Sequence, residues 1–189
     1  VDGGSFLCDP GRGLYSRQYF SDARYENVFA NSYGHSVPVI DGQLQAAGRE
    51  YEGKIRAFEP ETEPKQVVSD IAGAYPVDAL GGLGRTLALS AEGARAGEVT
   101  VTDVFDFGDE PDAVQGAFVT WLDVEVDGGT AVLHGAIWDL ELTVEAPSGA
   151  VFALEVLEEA SEANRKERIL KRLAVDLEPR RQSEVKVKA

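Results

Sequence analysis

Cysteine is almost missing from this 189-residue chain, methionine is missing altogether, and histidine occurs only twice. A single cysteine, Cys8, excludes an internal disulfide framework. It sits in Phe6-Leu7-Cys8-Asp9-Pro10, where an acidic rather than a cationic neighbour disfavours the thiolate that a nucleophilic cysteine needs. We read it as a small, partly buried hydrophobe. No apolar run approaches the roughly 18 residues of a membrane-spanning helix, and the first residues lack a basic-then-apolar signal pattern. Gly-x-Gly-x-x-Gly and Gly-x-Ser-x-Gly are both absent, and Gly81-Gly82-Leu83-Gly84 lacks the Lys-Ser/Thr that phosphate binding needs, so we read it as a turn. The chain starts at Val-Asp-Gly-Gly without Met. From this we expect a processed chain or a domain cut from a longer protein, which leaves the parent's compartment open.

Positive charge is scarce and unevenly placed. The net charge is -15, divided as -2 over residues 1–60, -18 over 61–164 and +5 over 165–189. Nucleic-acid binding rests on Lys and Arg neutralising phosphates, so this balance argues against it. An acidic polysaccharide would be repelled too, unless it meets the near-neutral first segment with Arg12, Arg17, Arg24, Arg49, Lys54 and Arg56. The acidic middle reads as a solvated face.

What is present is alternation. Residues 99–107 and 136–145 alternate apolar and polar side chains, the mark of strands with one buried face. Similar short runs lie near 14–20, 26–33, 37–41, 53–58, 66–72, 84–91, 116–126, 130–135 and 150–157. Asp41-Gly42, Asp127-Gly128-Gly129 and Pro147-Ser148-Gly149 supply turns between them. The pattern predicts an all-β chain: one domain over residues 1–189, folded as a large antiparallel two-sheet sandwich. Residues 158–172 carry a helical composition, but Ile169, Leu173, Val175 and Leu177 also fit a strand, and loop then strand is the preferred reading. The tail, residues 180–189, reads as a charged edge strand or a frayed end.

Two features carry chemistry. The run Asn31-Ser32-Tyr33-Gly34-His35-Ser36-Val37-Pro38-Val39-Ile40-Asp41-Gly42 sets His35 beside a tyrosine, on what reads as a polar strand edge before an apolar run and a turn. Histidine changes charge nearest neutral pH, so His35 could hold or move a proton, or be a structural strand residue. Five of six tyrosines, Tyr15, Tyr19, Tyr25, Tyr33 and Tyr51, interleave with Arg17 and Arg24. Such a cluster can meet sugar rings and uronate carboxylates, or simply pack on a pleated surface.

Residues 25–43 resemble the opening of the C-terminal β-sandwich of the heparinase II/III-like polysaccharide lyases, where a Gly-His-Ser or Ala-His-Asn triplet runs into an apolar strand closed by Asp-Gly or Asn-Gly. Further landmarks follow in order: Asp2-Gly3-Gly4 ahead of it, Gln43 and Gln45 after the turn, Ala74-Tyr75-Pro76, then Arg85 leading into Val99-Thr100-Val101-Thr102-Asp103. The resemblance implies a super-sandwich fold and a C-terminal domain that contributes one wall of a cleft. The implied chemistry is β-elimination on an acidic, glycosaminoglycan-type polysaccharide. It implies His35 as the catalytic acid/base or carboxylate-neutralising group, carried on a strand, with Asn31 and Tyr33 beside it toward substrate; Arg17 and Arg24, from the tyrosine cluster, are expected to meet the substrate's carboxylates. It also implies a partner absent from this sequence, an N-terminal helical domain that supplies a tyrosine, so the isolated chain is expected to be inactive. Some relatives hold a metal with two histidines and an aspartate. Here His134 finds no second ligand, so no metal and no cofactor is expected. The readings from other classes are a non-catalytic carbohydrate-binding module and an architectural domain.

Overall fold

The computed structural model describes residues 4–189, so Asp2-Gly3 of the resemblance lies outside the described residues. In chain order the strands are β1 (Val39–Ile40), β2 (Lys54–Glu59), β3 (Lys65–Asp70), β4 (Leu80–Leu89), β5 (Val99–Phe107), β6 (Val114–Thr120), β7 (Asp123–Asp127), β8 (Thr130–His134), β9 (Asp139–Ala146), β10 (Ala153–Leu157), β11 (Leu170–Leu177) and β12 (Gln182–Lys188), with one short helix, α1 (Glu158–Ala163), between β10 and β11. Among the described residues they form two sheets, ordered β1-β6-β11-β10 and β2-β3-β4-β5-β12-β9-β8-β7. Every pairing is antiparallel. The result is the expected all-β two-sheet sandwich.

Alternation explains the layering. In β5 the side chains of Phe105 and Phe107 are buried while Val104 and Asp106 face solvent. They join Leu83, Leu133, Leu142, Val185 and Val187 of the larger sheet against Ile40, Val114, Phe118, Leu173, Val175 and Leu177 of the smaller one. Stacking two such faces is what removes a one-sided strand's apolar surface from water.

Several sequence readings are corrected here. Residues 14–20 and 26–33 are not strands but a strap of 3-10 turns: Gln18–Phe20, Asp22–Glu26 and Ser32–Gly34. Polar side chains bend the backbone there. Ser21 Oγ accepts from Ala23 N–H, Asn27 Oδ1 from Phe29 N–H at 2.9 Å, and Asn31 Oδ1 from Tyr33 N–H at 3.0 Å. Such local side-chain bonds compete with a sheet ladder and favour turns. His35 therefore follows a 3-10 turn rather than lying on a strand.

The run 116–126 is broken at Trp121-Leu122, where the chain leaves the smaller sheet (β6) and enters the larger (β7). Gly81-Gly82-Leu83-Gly84 lies inside β4, beside a bulge, and is not a turn. The tail is neither an edge nor frayed, since β12 sits between β5 and β9. Val185 and Val187 enter the core, and Lys186 and Lys188 sit outside it, with Lys186 Nζ 2.8 Å from Glu145. Within residues 158–172 the preferred loop is partly the six-residue α1, followed by the expected strand, β11.

Candidate functional site

The middle of the strap lies on the outer face of the smaller sheet, with Phe29 packed on Val119 of β6 and Leu170 of β11, while ahead of it Phe6 and Leu7 pack against the core between the sheets. Asn164, just past α1, tethers it: its Oδ1 accepts from Leu14 N–H and from Asn27 Nδ2, both at 2.8 Å. The strap ends at Gly34-His35. An added Cβ at Gly34 would stand 2.4 Å from the Val28 carbonyl oxygen, so the approach that places His35 tolerates only glycine.

His35 is partly open, with 32% of its side chain exposed, and its Nδ1 lies 3.7 Å from Asp9 Oδ2. The chain immediately after it is clamped from three directions. The Ser36 carbonyl accepts from Arg85 Nη1 at 2.6 Å, and Ser36 Oγ accepts from Val119 N–H at 3.0 Å. The Pro38 carbonyl accepts from Tyr75 Oη at 2.8 Å. Arg85 is itself fixed by Asp103, to which Nε and Nη2 donate at 2.7 Å each. Burial pulls the Arg85 guanidinium down, but the hydrogen bonds and charge of Asp103 outweigh it and leave Arg85 above its ordinary value. Burial also pushes the Tyr75 hydroxyl well up, so it remains a donor. Farther on, Asp41 and Gly42 take positive φ of 50° and 69°, and Ile40 and Gln43 pair across this tight turn. Gln45 N–H donates to Ser32 Oγ at 2.9 Å. The scattered landmarks Gln43, Gln45, Tyr75, Arg85 and Asp103 thus converge on the His35 segment.

The other predicted site residues are disposed as follows. Tyr33 is largely engaged: its hydroxyl donates to Glu155 Oε2 at 2.5 Å, and its ring lies under the Arg172 guanidinium at 4.3 Å. Burial and the Glu155 hydrogen bond raise its pKa above the ordinary tyrosine value. Arg172 is fully buried and bonds Glu155 Oε1 at 2.8 Å, while its Nε and Nη2 find no hydrogen-bond partner among the described residues. Asn31 serves the backbone, accepting from Tyr33 N–H and donating to the Tyr25 carbonyl. Arg24 lies over the Tyr19 ring at 4.7 Å and donates to its hydroxyl, and Arg17 precedes the first 3-10 turn on the surface. No hydrogen bond or ion pair joins either arginine to His35 among the described residues. Tyr15, Tyr19 and Phe20 pack on one another with centroids 5.1–5.5 Å apart, an aromatic knot on the strap rather than a row on a pleat.

Sequence reasoning missed Asp9, which sits 26 positions before its histidine and carries no motif. His134, at the end of β8, stands between Glu125 and Asp139 at 3.7 and 3.3 Å. Among the described residues no three His, Cys, Asp or Glu side chains cluster as metal ligands do.

No protein-family model matches the sequence, and no curated protein matches it. Solved structures do. A heparinase III with methylated lysines superposes with a TM-score of 0.71 over 100% of this chain and 28% of its own, at 12% identity. The heparan sulfate lyase HepC from Pedobacter heparinus gives 0.71 over 98% and 28%, at 14% identity. A further heparinase III gives 0.71 over 99% and 27%, at 15% identity. The fold is one that heparinase III structures contain. This chain spans little more than a quarter of the length of those proteins.

Proposed function

We propose that this chain is a single sandwich domain forming the C-terminal part of a heparinase-like polysaccharide lyase, that it supplies one wall of a cleft, and that His35 handles a proton there. The supporting observation is the way His35 is presented. It is partly open, it has a carboxylate beside Nδ1, and a buried clamp at Ser36 and Pro38 holds the segment that carries it.

In β-elimination on a uronic acid the base removes the C5 proton, the C4–O bond breaks as the C4=C5 double bond forms, and the departing oxygen takes a proton. The substrate carboxylate must be neutralised for C5 to become acidic. In this reading His35 performs either the proton transfer or the neutralisation. Tyr33 and Asn31 shape its turn, since the Tyr33 hydroxyl is tied to Glu155 and Asn31 to the backbone. The remaining group comes from a helical domain outside this sequence, a placement supported by the small share of the heparinase III chains that this chain covers.

Ultraviolet absorbance of the new double bond tests the reading. The 189-residue chain should yield no unsaturated uronate from heparan sulfate or related uronic-acid polymers, whereas a longer protein carrying the chain should. Turnover by the chain alone would place the complete active site within it and contradict the proposal. A non-catalytic glycan-binding module is favoured by one observation, the exposed Tyr15 and Phe20 with Arg12 3.7 Å over the Tyr15 ring. It predicts binding without product in either protein.

A further inference from the structure

In a chain with net charge -15, residues 165–171 hold four basic side chains and one acidic one. This segment follows α1 and lies against the corner where β6 hands the chain to β7. Trp121 occupies that corner, stacked on Phe29 with centroids 6.0 Å apart and planes 7° off parallel. Two hollows open beside it, of about 490 and 360 Å³, and Trp121 and Arg168 are the residues lining both, forming a ridge between them. Arg168 is exposed and has no hydrogen-bond or ion-pair partner among the described residues. Lys166 lines the smaller hollow and Lys171 the larger, the latter 3.1 Å from Asp123. Glu167 and Asp123 are the acidic residues in the two linings, against Lys166, Arg168 and Lys171.

The ridge is connected to His35. Lys166 Nζ donates to the carbonyls of Pro10 and Arg12 at 3.1 and 2.7 Å, in the same short turn whose Asp9 faces His35. Cys8, next to Asp9, donates its N–H to the carbonyl of Val119, whose own N–H is held by Ser36.

We propose that the Trp121–Arg168 ridge is a subsite for a uronic-acid oligosaccharide, Trp121 offering an apolar face to a pyranose ring and Arg168 taking the carboxylate of a neighbouring sugar. The proposal rests on the lyase reading for its ligand class and extends it by naming where the chain of sugars runs beyond His35. The chemistry is simple. A pyranose has an apolar face that suits an aromatic ring, and guanidinium binds carboxylate through two parallel hydrogen bonds. An arginine with no protein partner keeps both donor pairs for a ligand.

The test uses the chain in a Trp138→Phe background, which leaves Trp121 as the sole indole. A hexasaccharide of alternating glucuronic acid and N-acetylglucosamine is titrated while Trp121 emission is followed, with cellohexaose as the neutral comparison. The expected result is a saturable change for the acidic sugar only, weakened by salt. Arg168→Glu should raise Kd by about tenfold or more, and the equal charge change Arg95→Glu, at a distant turn, should alter it less than about twofold. No saturable change, or equal weakening by both variants, overturns the subsite. Emission changes that survive while no longer protein makes unsaturated product would sink the lyase reading and leave the subsite standing. Product formation with a silent Trp121 would sink the subsite alone.

Discussion

Arg85 and Asp103 are the residues on which the geometry around His35 depends most. Their side chains are 13% and 3% exposed, and the pair is joined by two 2.7 Å hydrogen bonds while Arg85 also holds the Ser36 carbonyl. Removing one member of a buried pair leaves the other charge uncompensated, at a cost of roughly 3–5 kcal/mol. Asp103→Ala should therefore lower the melting temperature sharply, more than Arg56→Ala, whose partner Asp70 lies in an exposed pair. Equal small losses from the two variants would show that Arg85 is not a clamp. Cys8 gives a second expectation at this scale. Burial, then the charge of Asp9, lifts its thiol from 9.0 to about 11. Folded protein at pH 8 holds almost no Cys8 thiolate, so alkylation by iodoacetamide should be much slower than in denaturant and should accelerate only as pH climbs toward 11. Rapid alkylation of the native chain at pH 8 would contradict this setting.

Among the elements, β12 was legible in the sequence as a strand but not in its central place in the larger sheet. Its lysines suggested an edge, yet Val185 and Val187 are both nearly fully buried, and the strand bonds β5 on one side and β9 on the other. Truncation after Arg181 should split the larger sheet between β5 and β9 and abolish the cooperative thermal transition seen by circular dichroism. A truncated chain that melts like the full one would mean β12 is dispensable. Alternation made β5 and β9 readable because each has one wet face, and Asp41-Gly42 was readable as a turn because its two positive φ values suit those residues. The strap was not readable. Tyr15, Tyr19, Tyr25 and Tyr33 carry strand-like composition, but Ser21, Asn27 and Asn31 bend the backbone by capping it, and those bonds outweigh propensity. His35 could be singled out in the sequence as a candidate but was read on a strand; its place after a 3-10 turn, its neighbour Asp9 and the convergence of Tyr75 and Arg85 on its segment depend on contacts that no local pattern carries.

For the whole molecule, charge is unevenly divided along the chain. The acidic excess falls in residues 61–164, while the strap is near neutral and residues 165–171 are basic, so an anionic polymer is repelled least by these two segments. The fold is shared with heparinase III structures, of whose length this chain spans little more than a quarter, and the cleft wall is the proposal to be tested. The most direct test of that account is a paired measurement on a longer protein carrying this chain: kcat for uronic-acid polymer and melting temperature, with and without His35→Ala. Loss of an acid/base group lowers turnover by about a hundredfold or more. The account predicts a fall in kcat of that size with a melting temperature within a few degrees of the parent, because the His35 side chain is partly exposed and the clamp on its segment runs through Ser36 and Pro38. Unfolding of the variant with full activity in the folded fraction would contradict it, leaving His35 as a structural residue of the strap.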